Sequence, residues 1–454
     1  MLNITLLALY GALLLAIALA SLKYGKTMEN LLVAGRSQKK LLVTVSMLAS
    51  TIGGGITIGT IERGSSMGFA AFWFVFAGAV AHFAQGALLS RKVRESEALT
   101  MAELAYKASG PLARLLVSII IVITWTGISA AQSLALAKVL ANLTPLSLEA
   151  GILVGAAFVI IYTLIGGQKS VLRTDLFQFG FLALGLVLSL IWLYLAKTPT
   201  ESLDIHLFST KFTPLDLVYQ VIVMGGSYFI CPMMFSRLLS ADSPANARRS
   251  SFLSGTGMVF FAFALTFIGL WIRASHFETP AGEALYALAG GALHPALGIM
   301  LIFGLLAAIV STADTVLLTA ASVLQNDIIK KPSVAAVRAW VAVIGIVAAF
   351  IAFQHRDIIA LLMKTYNGYT AGLVPALFVA IMYARFEGGV STRKPNPLLF
   401  ALAIILGYLM GLAGSFASGA VLPKLFPIGG MLLSLILSLA SWKFSPYKRE
   451  GSIQ

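Results

Sequence analysis

Along the chain, long apolar stretches alternate with short polar and basic connections. Thirteen apolar segments stand out, at residues 2–22, 41–61, 66–90, 113–141, 147–166, 174–196, 215–236, 251–272, 296–325, 334–354, 357–383, 397–417 and 427–442. Many run past 18 residues without a charge, the length a helix needs to cross a bilayer. The pattern predicts an all-α polytopic membrane protein of about 13 transmembrane helices, with boundaries good to about three residues. The longest connections, near 197–214 and 273–295, are only about 20 residues, too short for an independent domain. Residues 1–454 therefore read as a single transmembrane domain.

Composition agrees. Of 454 residues, 59% are hydrophobic and 11% charged, against about 25% charged in a soluble domain. A soluble enzyme, a disordered chain and a disulfide scaffold are excluded; the lone Cys231 has no intrachain partner. The net charge of +14 changes meaning in a membrane protein. Twenty-four of the 32 Lys and Arg fall in one alternate set of connections and six in the other. By the positive-inside rule the N-terminus lies outside and the C-terminus in the cytoplasm, in a bacterial or archaeal cytoplasmic membrane. The basic excess is orientation, facing lipid, and calls for no nucleic-acid partner. Residues 2–22 lack a basic n-region and carry too long an apolar core for a signal peptide, so they read as an uncleaved span. No GxxxxGK[ST] occurs, so ATP coupling on this chain is not expected.

Two spans interrupt themselves. Segment 2 carries Gly53-Gly54-Gly55 at mid-membrane, where each glycine costs about 1 kcal/mol against alanine in a helix. Segment 7 carries Gly225-Gly226 and, six residues on, Pro232. Non-helical backbone at that depth is tolerated only against protein or a water-filled cavity. Two broken spans in corresponding positions point to a 5+5 inverted repeat, segments 2–6 and 7–11. The repeat core spans 41–383; 1–22 is a peripheral first helix, and 397–443 holds two peripheral helices. The plainer alternative is that glycines let helices pack closely.

Polar residues inside spans mark function, because charge there is expensive. In segment 9, Ser311, Asp314 and Thr315 share one helix face at i, i+3, i+4, with Thr312 beside it. Hydroxyls and a carboxylate are hard ligands suited to a hard cation, and unwound backbone in segment 2 can add carbonyl oxygens. Alternatively the hydroxyls bond back to their own helix. Asp175 either caps the start of segment 6 or joins Asp314 and Thr315 in a second cation site. Lys364 in segment 11 either snorkels to the surface or meets a substrate carboxylate. The substrate cavity is assigned to Gly53, Gly54, Gly55, Thr57, Trp125, Gln132, Tyr228, Lys364, Tyr366 and Asn367. His82 and Gln85 read as interhelix partners.

Four stretches resemble the solute:sodium symporter family: Ala34-Gly35-Arg36-Ser37; Gly166-Gly167 through Thr174-Asp175 and Gln178; Pro232, Arg237, Ala241, Ala247 and Arg248-Arg249; and Ser311-Thr312-Ala313-Asp314-Thr315 through Asn326-Asp327-Ile328. The resemblance implies a leucine-transporter-type core and sodium-coupled uptake. It also implies a sodium site from backbone oxygens of Ala49, Ile52 and Ala308 with the hydroxyls of Ser311 and Thr312. Thr51 and Gly53 stand where proline-type members have aspartate and serine, so the solute is left open.

The expected activity is sodium-coupled symport of a small polar organic solute, an amino acid or carboxylate, by alternating access. Sodium is the coupling ion and the metal expected; no cofactor and no catalytic residue is assigned, so the chain is not read as an enzyme. The rival is a transporter-derived solute sensor that signals to a partner protein. The chain ends about twelve residues after segment 13, short of a fused kinase or regulator. A passive channel suits the broken helices less well.

Overall fold

The structure is a computed structural model that describes residues 2–21, 27–165, 168–195, 203, 205–209, 211–275, 284–387 and 390–445. It is almost wholly helical. The principal helices are α1 (Leu2–Ser21), α2 (Lys40–Thr51), α3 (Gly54–Met67), α4 (Phe72–Leu88), α5 (Pro111–Leu143), α6 (Leu148–Ile165), α7 (Gln168–Leu195) and α8 (Pro214–Gln220). They continue with α9 (Gly226–Phe229), α10 (Pro232–Ser240), α11 (Pro244–Ala274), α12 (Pro295–Val323), α13 (Val334–Phe353), α14 (Ile358–Tyr383), α15 (Pro397–Gly414) and α16 (Leu422–Lys443). Among the described residues, the connections include short helices and one two-stranded antiparallel ribbon, Phe386–Glu387 with Val390–Ser391.

Prolines set many helix starts. Pro111, Pro214, Pro232, Pro244, Pro295 and Pro397 each open a helix, where the missing N–H has no partner to lose. Among the described residues, ten helical stretches are long and apolar enough to cross a membrane, and Ile4–Ala20 and Lys40–Thr51 are shorter apolar helices. Apolar side chains on the outside fit that setting: Ile346 and Phe350, one turn apart on α13, are 64% and 66% exposed, facing hydrocarbon rather than water.

Segment 2 breaks where its glycines begin. Helix α2 ends at Thr51; Ile52 and Gly53 leave helical geometry, and α3 starts at Gly54. In segment 7 the break falls later than the glycines suggest. Gly225 and Gly226 remain helical, in a wide π-turn at 221–225 that runs into α9. The chain opens at Ile230 and Cys231, just before Pro232. A Cβ on Gly225 would lie 3.2 Å from the Ala77 carbonyl oxygen, so this glycine serves close packing. The 174 start for segment 6 is also corrected: α7 begins at Gln168, which puts Asp175 two turns inside the helix rather than at its cap. Gly166 and Gly167 lie outside the described residues.

Helix α11 runs along both halves of the broken segment 2. A Cβ on Gly257 would lie 2.7 Å from Leu48 Cδ1 of α2, and one on Gly269 would lie 2.7 Å from Gly64 Cα of α3.

Candidate functional site

The two breaks differ in how their backbone is satisfied. In segment 7 the side chain of Gln85 donates to the Tyr228 and Phe229 carbonyls at 3.4 and 3.1 Å, and the Tyr369 hydroxyl donates to the Ile230 carbonyl at 2.5 Å. Neighbouring helices thus close the carbonyl end of α9. In segment 2 no side chain caps the N-terminus of α3. The last carbonyls of α2 likewise have no continuing helix to accept from. A buried helix end without partners is a place where a ligand belongs.

That open end faces a small cavity. Polar groups on its wall are Ser50, Thr51, Gln132, Tyr228, Thr312 and Tyr366, together with the backbone of Gly53 and Gly55. Apolar groups are Ile56, Phe74, Ile128, Met224, Met233 and Leu362. Among the described residues, no charged side chain lines it. Gln132 Oε1 is buried with no hydrogen-bond partner among the described residues, an acceptor with unused capacity at the wall.

Segment 9 meets the break directly. A Cβ on Gly53 would lie 2.7 Å from Thr312 Oγ1, so only glycine lets the α2–α3 junction approach α12 this closely. Thr312 donates to the Ala308 carbonyl at 2.9 Å. Ser311, one residue earlier, turns to Asp175 and donates to Oδ1 at 2.5 Å. The Ala308 carbonyl and the Thr312 hydroxyl therefore lie together beside the α2–α3 junction at Gly53, with the Ser311 hydroxyl one residue earlier turned to Asp175. These are neutral hard oxygens, chemistry that fits a small monovalent cation.

Behind this cluster lies a polar network the sequence did not reveal. Arg237, counted by sequence among the loop cations, is fully buried. Its Nε donates to Ser46 at 3.1 Å, and its Nη2 to Ser50 and Thr315 at 2.7 Å each and to Asp175 Oδ2 at 3.4 Å. Ser46 also donates to Asp175. Asp175 is therefore tied to α2, α10 and α12 at once. Thr315 donates to Asp314 Oδ1 at 3.2 Å, while Asp314 Oδ2 has no partner among the described residues. Asp175 and Thr315 thus contact one buried guanidinium, with Asp314 joined to it through Thr315, and that guanidinium supplies positive charge where a second cation was expected.

The remaining candidates divide. Gly53, Gly55, Gln132, Tyr228 and Tyr366 line the cavity. Gly54 turns instead toward Ile309 and Ala135. Thr57 bonds back to the Gly53 carbonyl at 3.1 Å. Trp125 is buried against Tyr369, with ring centroids 5.1 Å apart. Asn367 accepts from Tyr219 at 2.7 Å and donates to Ser415 at 3.1 Å. Lys364 is exposed and off the cavity wall, which corrects its placement there. His82 is buried behind the wall, its Nε2 3.1 Å from Thr51 Oγ1. Phe74, Met224, Met233 and Leu362 were missed, because an apolar wall residue has the same sequence signature as a core residue.

The sequence profile of the sodium:solute symporter family matches residues 31–389. The chain belongs to that family. It is 23% identical over 417 residues to a sodium/proline symporter of Haemophilus influenzae, covering 83% of this chain and 82% of that one. It is 22% identical over 426 residues to a sodium/proline symporter of Escherichia coli, covering 86% and 84%. Among solved structures, it superposes on the substrate-bound outward-open state of a Na+-coupled sialic acid symporter with a TM-score of 0.79 at 17% identity, covering 99% of both chains. The fold of this symporter is therefore of the leucine-transporter type, and its activity is sodium-coupled transport across a membrane.

Proposed function

We propose that this symporter takes up a small organic carboxylate, an amino acid in the favoured case, together with sodium. The observation that carries the reading is the uncapped N-terminus of α3 on a cavity wall that bears no charged side chain among the described residues. A half-helix N-terminus in mid-membrane attracts anionic substrate groups through its free N–H groups and dipole. Proline and sialic acid, the solutes in the relatives' names, are both carboxylates. Gln132 offers an acceptor for the solute's donors, and the apolar wall suits a compact body.

Sodium is held by the carbonyl oxygens of Ala49, Ile52 and Ala308 and the hydroxyls of Ser311 and Thr312. Thr312 belongs to this set and to the cavity wall. An ion that fixes Thr312 against the α2–α3 junction also fixes the wall, so ion and solute favour each other's binding by the same factor. One sodium crossing 100 mV releases about 2.3 kcal/mol, enough for roughly 50-fold accumulation of a neutral solute. The basic bias of the connections orients the N-terminus outward and the C-terminus into the cytoplasm.

The test is solute binding and uptake by the purified symporter in proteoliposomes, with an amino-acid and carboxylate library, in sodium against choline. Sodium-stimulated uptake of at least one carboxylate, with tighter binding in sodium, is expected. Equal binding in both buffers would overturn the coupling.

A further inference from the structure

On the flank of segment 7, apart from the ion cluster, lies a lateral groove of about 950 Å³, measured with its open side. Ala77, Ala81 and Ala84 share one face of α4 at i, i+4 and i+7 and line it beside Gly225 and Gly226 of the π-turn. These small residues make a slot, with Phe378 of α14 and Met431 of α16 also on its wall. The rings of Phe229 and Phe378, centroids 5.5 Å apart, join segment 7 to α14. Among the described residues, every side chain on the wall is apolar.

The groove therefore offers water no hydrogen bond, and leaving it empty would forfeit the dispersion contacts of its lining. Helix α4, segment 7 and α16 all belong to stretches long and apolar enough to cross a membrane. Two residues of the wall, Val80 and Leu432, are exposed, so the groove is continuous with the surface that faces hydrocarbon. Leu432 also begins a stripe. Leu432, Ile436, Leu439 and Lys443 follow at i, i+4, i+7 and i+11 along α16, all exposed. From Leu432 to Lys443 a helix rises about 16 Å, close to the roughly 15 Å half-thickness of bilayer hydrocarbon. The stripe thus leads from the slot to a cation at headgroup depth. Trp442, next to that cation, meets Tyr383 with ring centroids 5.5 Å apart, the kind of aromatic pair that sits at a membrane interface.

We infer that the groove and stripe bind an anionic phospholipid, its phosphate toward Lys443 and one acyl chain laid along α16 into the slot against the π-turn. Hydrocarbon alone gives no preference over bulk lipid. Shape at the slot and charge at Lys443 supply it. On the orientation proposed above, the lipid belongs to the cytoplasmic leaflet, where anionic headgroups concentrate. Neither sodium nor the solute takes part, so the site stands apart from the transport reading.

Photo-crosslinking on the full chain in nanodiscs tests it. The probes are phosphatidylglycerol and phosphatidylcholine, each with a diazirine at the end of one acyl chain, and labelled residues are mapped by mass spectrometry. Phosphatidylglycerol should label the groove residues at least three-fold more than Ile346 and Phe350, which are exposed on α13 away from any groove residue. Phosphatidylcholine should label the groove at least three-fold less than phosphatidylglycerol does, and Lys443→Gln should remove that difference. Ala81→Phe fills the slot and should lower groove labelling at least three-fold, with α13 labelling unchanged. If its melting temperature falls, Ala84→Phe takes its place with the same expected loss. Equal labelling of groove and α13 would mean annular lipid only and overturn the site. Equal labelling by the two lipids, or unchanged labelling in the filled variant, would do so too. Chain-to-chain crosslinks at α16 with no lipid label in the groove would give the groove to a second copy and also overturn the proposal.

Discussion

At the residue scale, the Thr312 hydroxyl joins the ion to the solute wall. Thr312→Ala removes one oxygen that water partly replaces, so the sodium half-saturation should rise about five-fold while uptake recovers at high sodium. Sodium titration of initial uptake rates measures this, and the Ser311→Ala/Thr312→Ala pair should not recover. Gly53→Ala should act through the same hydroxyl, because its methyl would lie 2.7 Å from Thr312 Oγ1; unaltered sodium dependence there would detach the junction from the ion site. Arg237→Met strands the Asp175 carboxylate in a dry interior, a loss of about 3–5 kcal/mol. Adding Asp175→Asn should recover most of it in thermal melts. Lys364→Met should leave affinity unchanged, since that side chain is exposed. Sequence made Ser311 and Thr312 visible because hydroxyls are conspicuous in an apolar span. It hid Arg237 because a cation six residues after Cys231 at the break looks like any loop cation until Asp175 is placed against it.

At the element scale, what matters is which helix ends are closed by neighbours. Gly54→Leu would drive a side chain into Ile309 and Ala135 and displace the start of α3. The expected outcome is an inserted, folded protein, by gel filtration, that transports nothing. Tyr369→Phe removes the donor that closes the Ile230 carbonyl and should cost about 1–3 kcal/mol of stability, with sodium half-saturation unmoved. A shift in sodium dependence instead would mean the second break takes part in ion binding. The break in segment 2 was legible because three successive glycines have no helical rationale. The break in segment 7 was legible only approximately: Gly225-Gly226 drew attention to a stretch that stays helical, while Pro232 alone marked the opening. The start of α7 was misplaced because the polar run Gln168–Asp175 looks like a connection when the helices that bury it are unknown.

At the scale of the whole molecule, apolar segment length gave the membrane class and most helix positions, because hydrocarbon tolerates little else. The cavity wall was not legible beyond its glycines and a few polar groups, since packing decides which methionine or phenylalanine faces inward. The contact of α11 with both halves of the interrupted span has a mechanical consequence. A discontinuous helix is naturally taken for a joint, yet here an unbroken rod is clamped along it, at Leu48 by Gly257 and at Gly64 by Gly269. The rod acts as a splint. The gap then contributes bare peptide groups and little bending, and any rocking between outward and inward forms must carry α2, α3 and α11 as one piece. Spin labels placed at the far ends of α2 and α3 should keep one separation, within about 2 Å, with and without sodium, while distances from either label to α13 change between the two conditions.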